Sequence, residues 1–231
     1  MSTILETAVL SIQTWNEVRN DGEATRNYFN QGAYFQISRE SFDQWSLQNP
    51  ESLHAYMGLV QVIGQPNFSL ALLCVDNVTD SKNVPEHEDD YNANLKKSVY
   101  QRSVLPNAHF IFEENPPAPV EPQIDTLDAL KASNQWILHK DYWLLGQENF
   151  VQVFEIPFED LIVLFSNENV NSIIALPALK EIGENSFEMQ LILWGYTEEG
   201  ILANYPMDLI RPKPPFSTPS NFQLLSYALS S

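Results

Sequence analysis

The strongest constraint on this chain is internal. The stretch Phe35 to Asp76 returns, in altered form, at Phe154 to Gly195. The first copy opens Phe35-Gln36-Ile37-Ser38-Arg39-Glu40 and the second Phe154-Glu155-Ile156-Pro157-Phe158-Glu159. Further on, Ser52 and Ala55 face Ser172 and Ala175, Leu59 faces Leu179, Gly64 faces Gly183, and Phe68 faces Phe187. With two one-residue gaps this gives about nine identities in roughly 33 pairs, where unrelated sequences would give about two. The reading that follows is an α+β protein of two tandem, structurally similar repeats. Each would hold an N-terminal helix, a short second helix and an antiparallel sheet, and the pair would pack about a pseudo-two-fold. Repeat 1 is expected at 1–115 and repeat 2 at 123–231, joined by a proline-rich linker at 116–122.

Local signals fill in each half. Thr3 and Glu6 make a capping box for a helix from 4 to about 19, with Leu5, Ala8, Ile12 and Trp15 on its apolar face. Ala33 to Ile37 reads as a strand, and Ser38 as the N-cap of a short helix carrying Phe42 and Trp45. Tyr56 to Ile63 and Phe68 to Val75 form a hairpin around Gly64-Gln65-Pro66-Asn67, apolar enough to be covered on both faces. Residues 77–98, rich in Asn, Asp and Glu, read as an exposed acidic loop, and Val99–Leu105 and Ala108–Phe112 as two more strands. In the second half Asp125 caps a helix carrying Leu127, Leu130 and Ile137. Asn149–Glu155 is a strand, Pro157 opens a short helix at its first position, and Phe187–Trp194 is a strand. Arg211 to Phe216 is a proline-rich crossing into a last strand, Phe222–Leu229.

Composition bears on function mainly by exclusion. Thirty Asp and Glu against 12 Lys and Arg give a formal net charge of −18. Binding to phosphate backbones or anionic membranes relies on clustered basic residues, so no nucleic acid and no membrane is expected as partner, whereas a basic protein fits the sign. The single cysteine, Cys74, rules out an internal disulfide and sits in a run that reads as a buried strand. The N-terminus lacks the pattern of a secretory signal and no uncharged run approaches the ~18 residues of a span, so a cytoplasmic protein is expected.

No motif assigns an activity. Asp90-Tyr91-Asn92-Ala93-Asn94 copies the opening of an EF-hand calcium loop, but Leu95 and Gln101 stand where that loop needs Gly and Glu. His54, His87, His109 and His139 have no metal-ligand spacing, and no cofactor, metal or catalytic residue is named. Glu40 and Glu159 occupy matching places in the first turn of the short helices, where the helix dipole favours a carboxylate. His54, in an apolar run, reads as a hydrogen-bonded, half-buried imidazole. The expectation is a non-catalytic acidic interaction protein of chaperone, inhibitor or immunity type. Glu86, Glu88, Asp89 and Asp90 are its candidate partner-binding residues, since the acidic excursion occurs in one copy only. The alternative is a small-ligand binder or enzyme with its site in the cleft between the repeats. The sequence leaves the oligomeric state open.

Overall fold

A computed structural model describes residues 2–62, 64, 67–102, 105–107, 109–112, 123–183, 186–203, 206–208, 211–213 and 222–231, with the backbone alone for 211–213. Two helices open the chain, α1 (Ile4–Val18) and α2 (Gly22–Phe29). Strand β1 (Phe35–Ser38) leads into α3 (Arg39–Ser46), and a long hairpin follows, β2 (Ser52–Gln61) and β3 (Phe68–Asp76). Then come α4 (Asn77–Asp80), a single 3-10 turn (Val84–Glu86), α5 (Glu88–Asn94), β4 (Lys96–Val99) and β5 (Phe110–Ile111). The second half holds α6 (Thr126–Leu145), β6 (Val153–Pro157), α7 (Phe158–Phe165), the hairpin β7 (Ser172–Gly183) and β8 (Ser186–Tyr196), β9 (Ile201–Leu202), β10 (Arg211–Lys213) and α8 (Gln223–Ser230). The protein is α+β.

The strands form two five-stranded sheets, ordered β1-β7-β8-β9-β5 and β10-β6-β2-β3-β4. Each sheet takes its main hairpin from one half of the chain and two short strands from the other, β1 and β5 in the first sheet and β6 and β10 in the second. Strand β1 lies antiparallel to β7 with Phe35 opposite Ala175, and β6 lies antiparallel to β2 with Phe154 opposite Ala55. Of these, β1 and β6 each lead straight into a short helix, α3 and α7.

Alternation along the strands sorts side chains into layers. Leu53, Ala55, Met57 and Leu59 of β2 join Ile173, Ala175 and Leu179 of β7 in a core shared by both sheets. The other face of β2, with Tyr56 and Val60, packs on Leu5, Ala8 and Ile12 of α1, Tyr91 of α5 and Leu224 of α8. On the far side, Ile174, Ala178 and Ile192 pack on Ala129 of α6. The order of layers is helix, sheet, sheet, helix. Gly58 lets α1 approach β2: a Cβ there would stand 3.1 Å from the Ser11 Cβ.

The local signals hold well. Thr3 and Glu6 form the capping box, with Glu6 N donating to Thr3 Oγ1 at 3.1 Å and Thr3 N to Glu6 Oε2 at 2.9 Å. Ser38 accepts from Ser41 N, and Asp125 from Leu127 N. The hairpin expected at Tyr56–Ile63 and Phe68–Val75 is present as β2, which ends at Gln61, and β3, with nearly every residue in both strands buried; Ile63 lies outside the described residues. Pro157 is the N-cap of α7, one place before the expected position. The linker at 116–122 lies outside the described residues, as do Gln65, Pro66 and 214–216.

Three expectations fail, and one further stretch holds an element for which none was made. Residues 22–29, left unassigned, form α2, capped by the Asp21 carboxylate, which accepts from Glu23 N and Ala24 N. The stretch 77–98 is not an open loop: it holds two helices, the 3-10 turn and β4. Asp76 caps α4 by accepting from Thr79 N and Thr79 Oγ1, each at 2.8 Å, while Val84, Tyr91 and Leu95 turn inward. Of Val99–Leu105, read as a strand, Val99 ends β4 and Gln101 makes only an isolated bridge to Tyr34, while 103 and 104 lie outside the described residues. The last strand is instead helix α8, with Leu224 and Ala228 buried one turn apart; aromatic and aliphatic content suggested β, and docking onto α1 decided otherwise.

Candidate interaction surface

Two clusters of polar groups are chemically conspicuous, and both are sealed. The first centres on Asp80, at the end of α4. Its Oδ2 accepts from the Tyr56 hydroxyl and lies 2.5 Å from His54 Nδ1, while Oδ1 accepts from Leu224 N at 2.9 Å. The Tyr91 hydroxyl stands 3.4 Å from Oδ1 and donates to Lys82 O at 3.0 Å. Burial pushes the Asp80 carboxyl upward against the pull of its His54 and Tyr56 hydrogen bonds, and it pushes the Tyr56 phenol well above its ordinary range. His54 is 3% exposed and Tyr56, Asp80 and Tyr91 are fully buried, so the cluster meets no solvent. A histidine, an aspartate and two tyrosines here act as a cross-link between β2, α4, α5 and the start of α8. His54 is hydrogen-bonded, as expected, but buried rather than half-buried.

The second is Asp160, fully buried in the first turn of α7, with neither carboxylate oxygen hydrogen-bonded. An acid at the third helical position ordinarily reaches back to the N–H of the N-cap residue. Here that residue is Pro157, which has none. Burial, then the nearby charges of Glu159 and Asp208, raise the carboxyl to about 7.

The other side chains singled out from the sequence fall into place. Cys74 is buried in β3 and its thiol is pushed up to about 12 by burial, which makes it inert. Glu40 and Glu159 lie in the first turns of α3 and α7. The run Asp90 to Asn94 is helical, not a calcium loop: Tyr91 points into the core, Asn92 Oδ1 accepts from Leu5 N at 2.9 Å, and Asn94 donates to Thr79 Oγ1 at 3.1 Å. Among the described residues no three His, Cys, Asp or Glu side chains gather as a metal site. No described helix is long and apolar enough to cross a membrane.

Of the four acidic candidates, Glu86 ends the 3-10 turn and Glu88, Asp89 and Asp90 fill the first turn of α5, where the helix dipole favours them. Glu86, Glu88 and Asp89 are exposed. Asp90 is engaged within the chain, 2.8 Å from Lys82 Nζ and 3.2 Å from His87 Nδ1; the Lys82 hydrogen bond holds its carboxyl below the usual carboxylate range.

The accessible surface with most binding character is one the sequence did not single out. It runs along α6. This 20-residue helix buries Ala129, Trp136 and Leu144, yet Leu127, Leu138 and Tyr142 are 73%, 65% and 87% exposed, and Ile137 and Leu145 are exposed as well. Leu127 and Ile137, read as the packed face, point outward. Beside the helix lies a groove whose far wall is the β7–β8 hairpin. A cavity of about 890 Å³, lined by His139, Tyr142, Trp143 and Phe187, adjoins one of about 280 Å³ lined by Asp128, Lys131, Leu179 and Asp208. Gln135 and Glu181 line both cavities, which makes the groove continuous. Its floor is fixed in place: Trp143 Nε1 donates to Phe187 O at 3.1 Å and His139 stacks on the Phe187 ring at 5.5 Å. Gln135 Oε1 is shielded from solvent with no partner. The signal in the sequence was a helix apolar on two sides, a pattern that weakens amphipathicity and so hides from a search for one stripe.

No protein-family model, curated protein or solved structure matches this chain.

Proposed function

We propose that the protein is a non-catalytic interaction module on a duplicated scaffold, and that the groove between α6 and the β7–β8 hairpin receives a basic, amphipathic segment of a protein partner. The single observation behind this reading is the exposed apolar surface of α6 beside a continuous groove, since apolar patches of this kind on a folded domain mark sites of association. The groove follows a 20-residue helix, about 30 Å long, so it suits an elongated occupant rather than a compact molecule. Charge favours a basic one. Asp128, Glu181 and Asp208 line it against Lys131 and Lys180, and Lys180 is 3.2 Å from Asp208, within a chain of net charge −18. Glu86, Glu88, Asp89 and Asp90, on the α5 side of the molecule, add to the negative field that raises the association rate of a basic partner in a salt-dependent way.

The duplication is supported by strand register. Phe35 faces Ala175 and Phe154 faces Ala55, so each copy's opening phenylalanine lies across from the corresponding alanine of the other copy. A pseudo-two-fold between two copies would generate this reciprocity.

The test uses a synthetic amphipathic helix with lysines on its polar face, titrated calorimetrically into the full chain, with a glutamate counterpart as control. Binding of the lysine peptide alone, at roughly micromolar Kd, and its loss in Tyr142→Asp or His139→Asp at unchanged Tm, is the expected result. Replacing Glu86, Glu88, Asp89 and Asp90 with Ser should slow association without lowering Tm. Equal binding of both peptides, or of neither, overturns the reading.

A further inference from the structure

The outer stripe of α6 points to a second copy of this chain. From Leu127 the solvent face of the helix continues through Lys131, Asn134, Leu138, Asp141 and Leu145, steps of four and three residues in strict alternation. That is heptad spacing, the pattern of a helix seam that meets another helix at a shallow angle. All six side chains are exposed, on the side of α6 away from Ala129 and Trp136. We infer that two copies associate through an antiparallel pairing of their α6 helices along this stripe.

The case for a second copy rather than another helix is the symmetry of the stripe. An isologous antiparallel pair has a two-fold axis, and here it falls at Trp136, midway between Leu127 and Leu145. About that axis Leu127 meets the second copy's Leu145, and Asn134 meets its Leu138. Lys131 meets Asp141, so the stripe is complementary to itself in charge as well as in apolar residues. These layers join one heptad seam position to the other, as antiparallel helix pairs require. Asp141 is placed for this by Asn30 at the end of α2, whose Nδ2 donates to Asp141 Oδ1 at 3.3 Å. Lys131 and Leu145 border the groove as well as the stripe, whereas Asn134 and Leu138 line neither cavity, so Leu138→Glu tests the pairing apart from the peptide-binding reading. A single helix-on-helix contact is a small interface, and the dimer is accordingly weak, with Kd on the order of 10 μM. Each copy carries −18, so added salt screens repulsion between copies and tightens the dimer.

Sedimentation equilibrium on the full chain tests this. A concentration-dependent monomer–dimer equilibrium is expected, shifted towards monomer about a hundred-fold by Leu138→Glu. Lys131→Glu and Asp141→Lys should each weaken it about three- to ten-fold, and the two together should restore it. The doubly substituted Leu127→Cys, Leu145→Cys chain should oxidise to a covalent dimer, because the native Cys74 is buried. A monomer at all concentrations, a dimer indifferent to Leu138→Glu, or a charge exchange that fails to restore association overturns the inference.

Discussion

The two outer helices, α1 and α6, do the same job on opposite sides of the molecule and are finished differently. Helix α1 lies on β2 and is itself packed by α5 and α8, and its only large exposed apolar residues are Ile4 and Leu10. Helix α6 lies on β7, with α2 beside it, and leaves five large apolar side chains in water. The difference comes from the segments that cover α1. Both lie outside 35–76 and 154–195, and both are tied to Asp80, which ends α4 and accepts the Leu224 N–H of α8. The second half has no counterpart among the described residues, since β8 is followed by a short turn and β9. A helix whose outer face is closed by its own chain is a structural element; one left apolar and open is a surface for association.

The comparison breaks most sharply at Asp80. Asp80→Ala leaves His54, the Tyr56 hydroxyl and the Leu224 N–H without their buried acceptor and should cost about 3–5 kcal/mol, read as a lower urea midpoint at unchanged slope. Because α8 is tied through Leu224, the same variant should lose amide-exchange protection at 224–230 first. An intact α8 in that variant would show that packing on α1, through contacts such as Gln13 Nε2 to Ala228 O at 2.8 Å, suffices to hold it.

A smaller effect, in the α6 half, depends on pH. Unfolded, the Asp160 carboxyl ionises near its ordinary 3.8; folded, near 7. The folded state therefore holds the proton more tightly, and the stability linked to it is full below about pH 4 and is lost as pH rises through 7. Asp160→Asn removes this dependence. Its Tm should match the parent's near pH 4 and exceed it at pH 8, with the two curves separating between. Parallel curves would mean that the carboxyl finds a donor. The corresponding place in the first half is Ser41, which carries no titratable group and whose N–H donates to the Ser38 hydroxyl.

The smallest effect on stability is expected on the open face. Leu138→Ala should change unfolding free energy by no more than about 0.5 kcal/mol at concentrations where the chain is monomeric, as exposed positions do. A loss several times larger would place Leu138 in the packed core and remove the contrast between α1 and α6.

What the sequence determined was local. Thr3 with Glu6, Ser38 and Asp125 announce helix starts because a cap bonds to backbone two or three residues away, and the hairpin is legible because its arms are contiguous and apolar. Residues 77–98 and 222–229 read as loop and strand because their polarity and residue types suit those states, while their structure depends on docking against α1 and β2. The Asp80 cluster was out of reach for the same reason: positions 54, 56, 80, 91 and 224 meet only once β2, α4, α5 and the C-terminal helix have come together. The tertiary structure likewise decided which apolar side of α6 is buried. Periodicity records that a helix has an apolar face, but with two such faces it assigns neither, and only the packing of Ala129 and Trp136 onto the molecule leaves Leu127, Leu138 and Leu145 to the solvent.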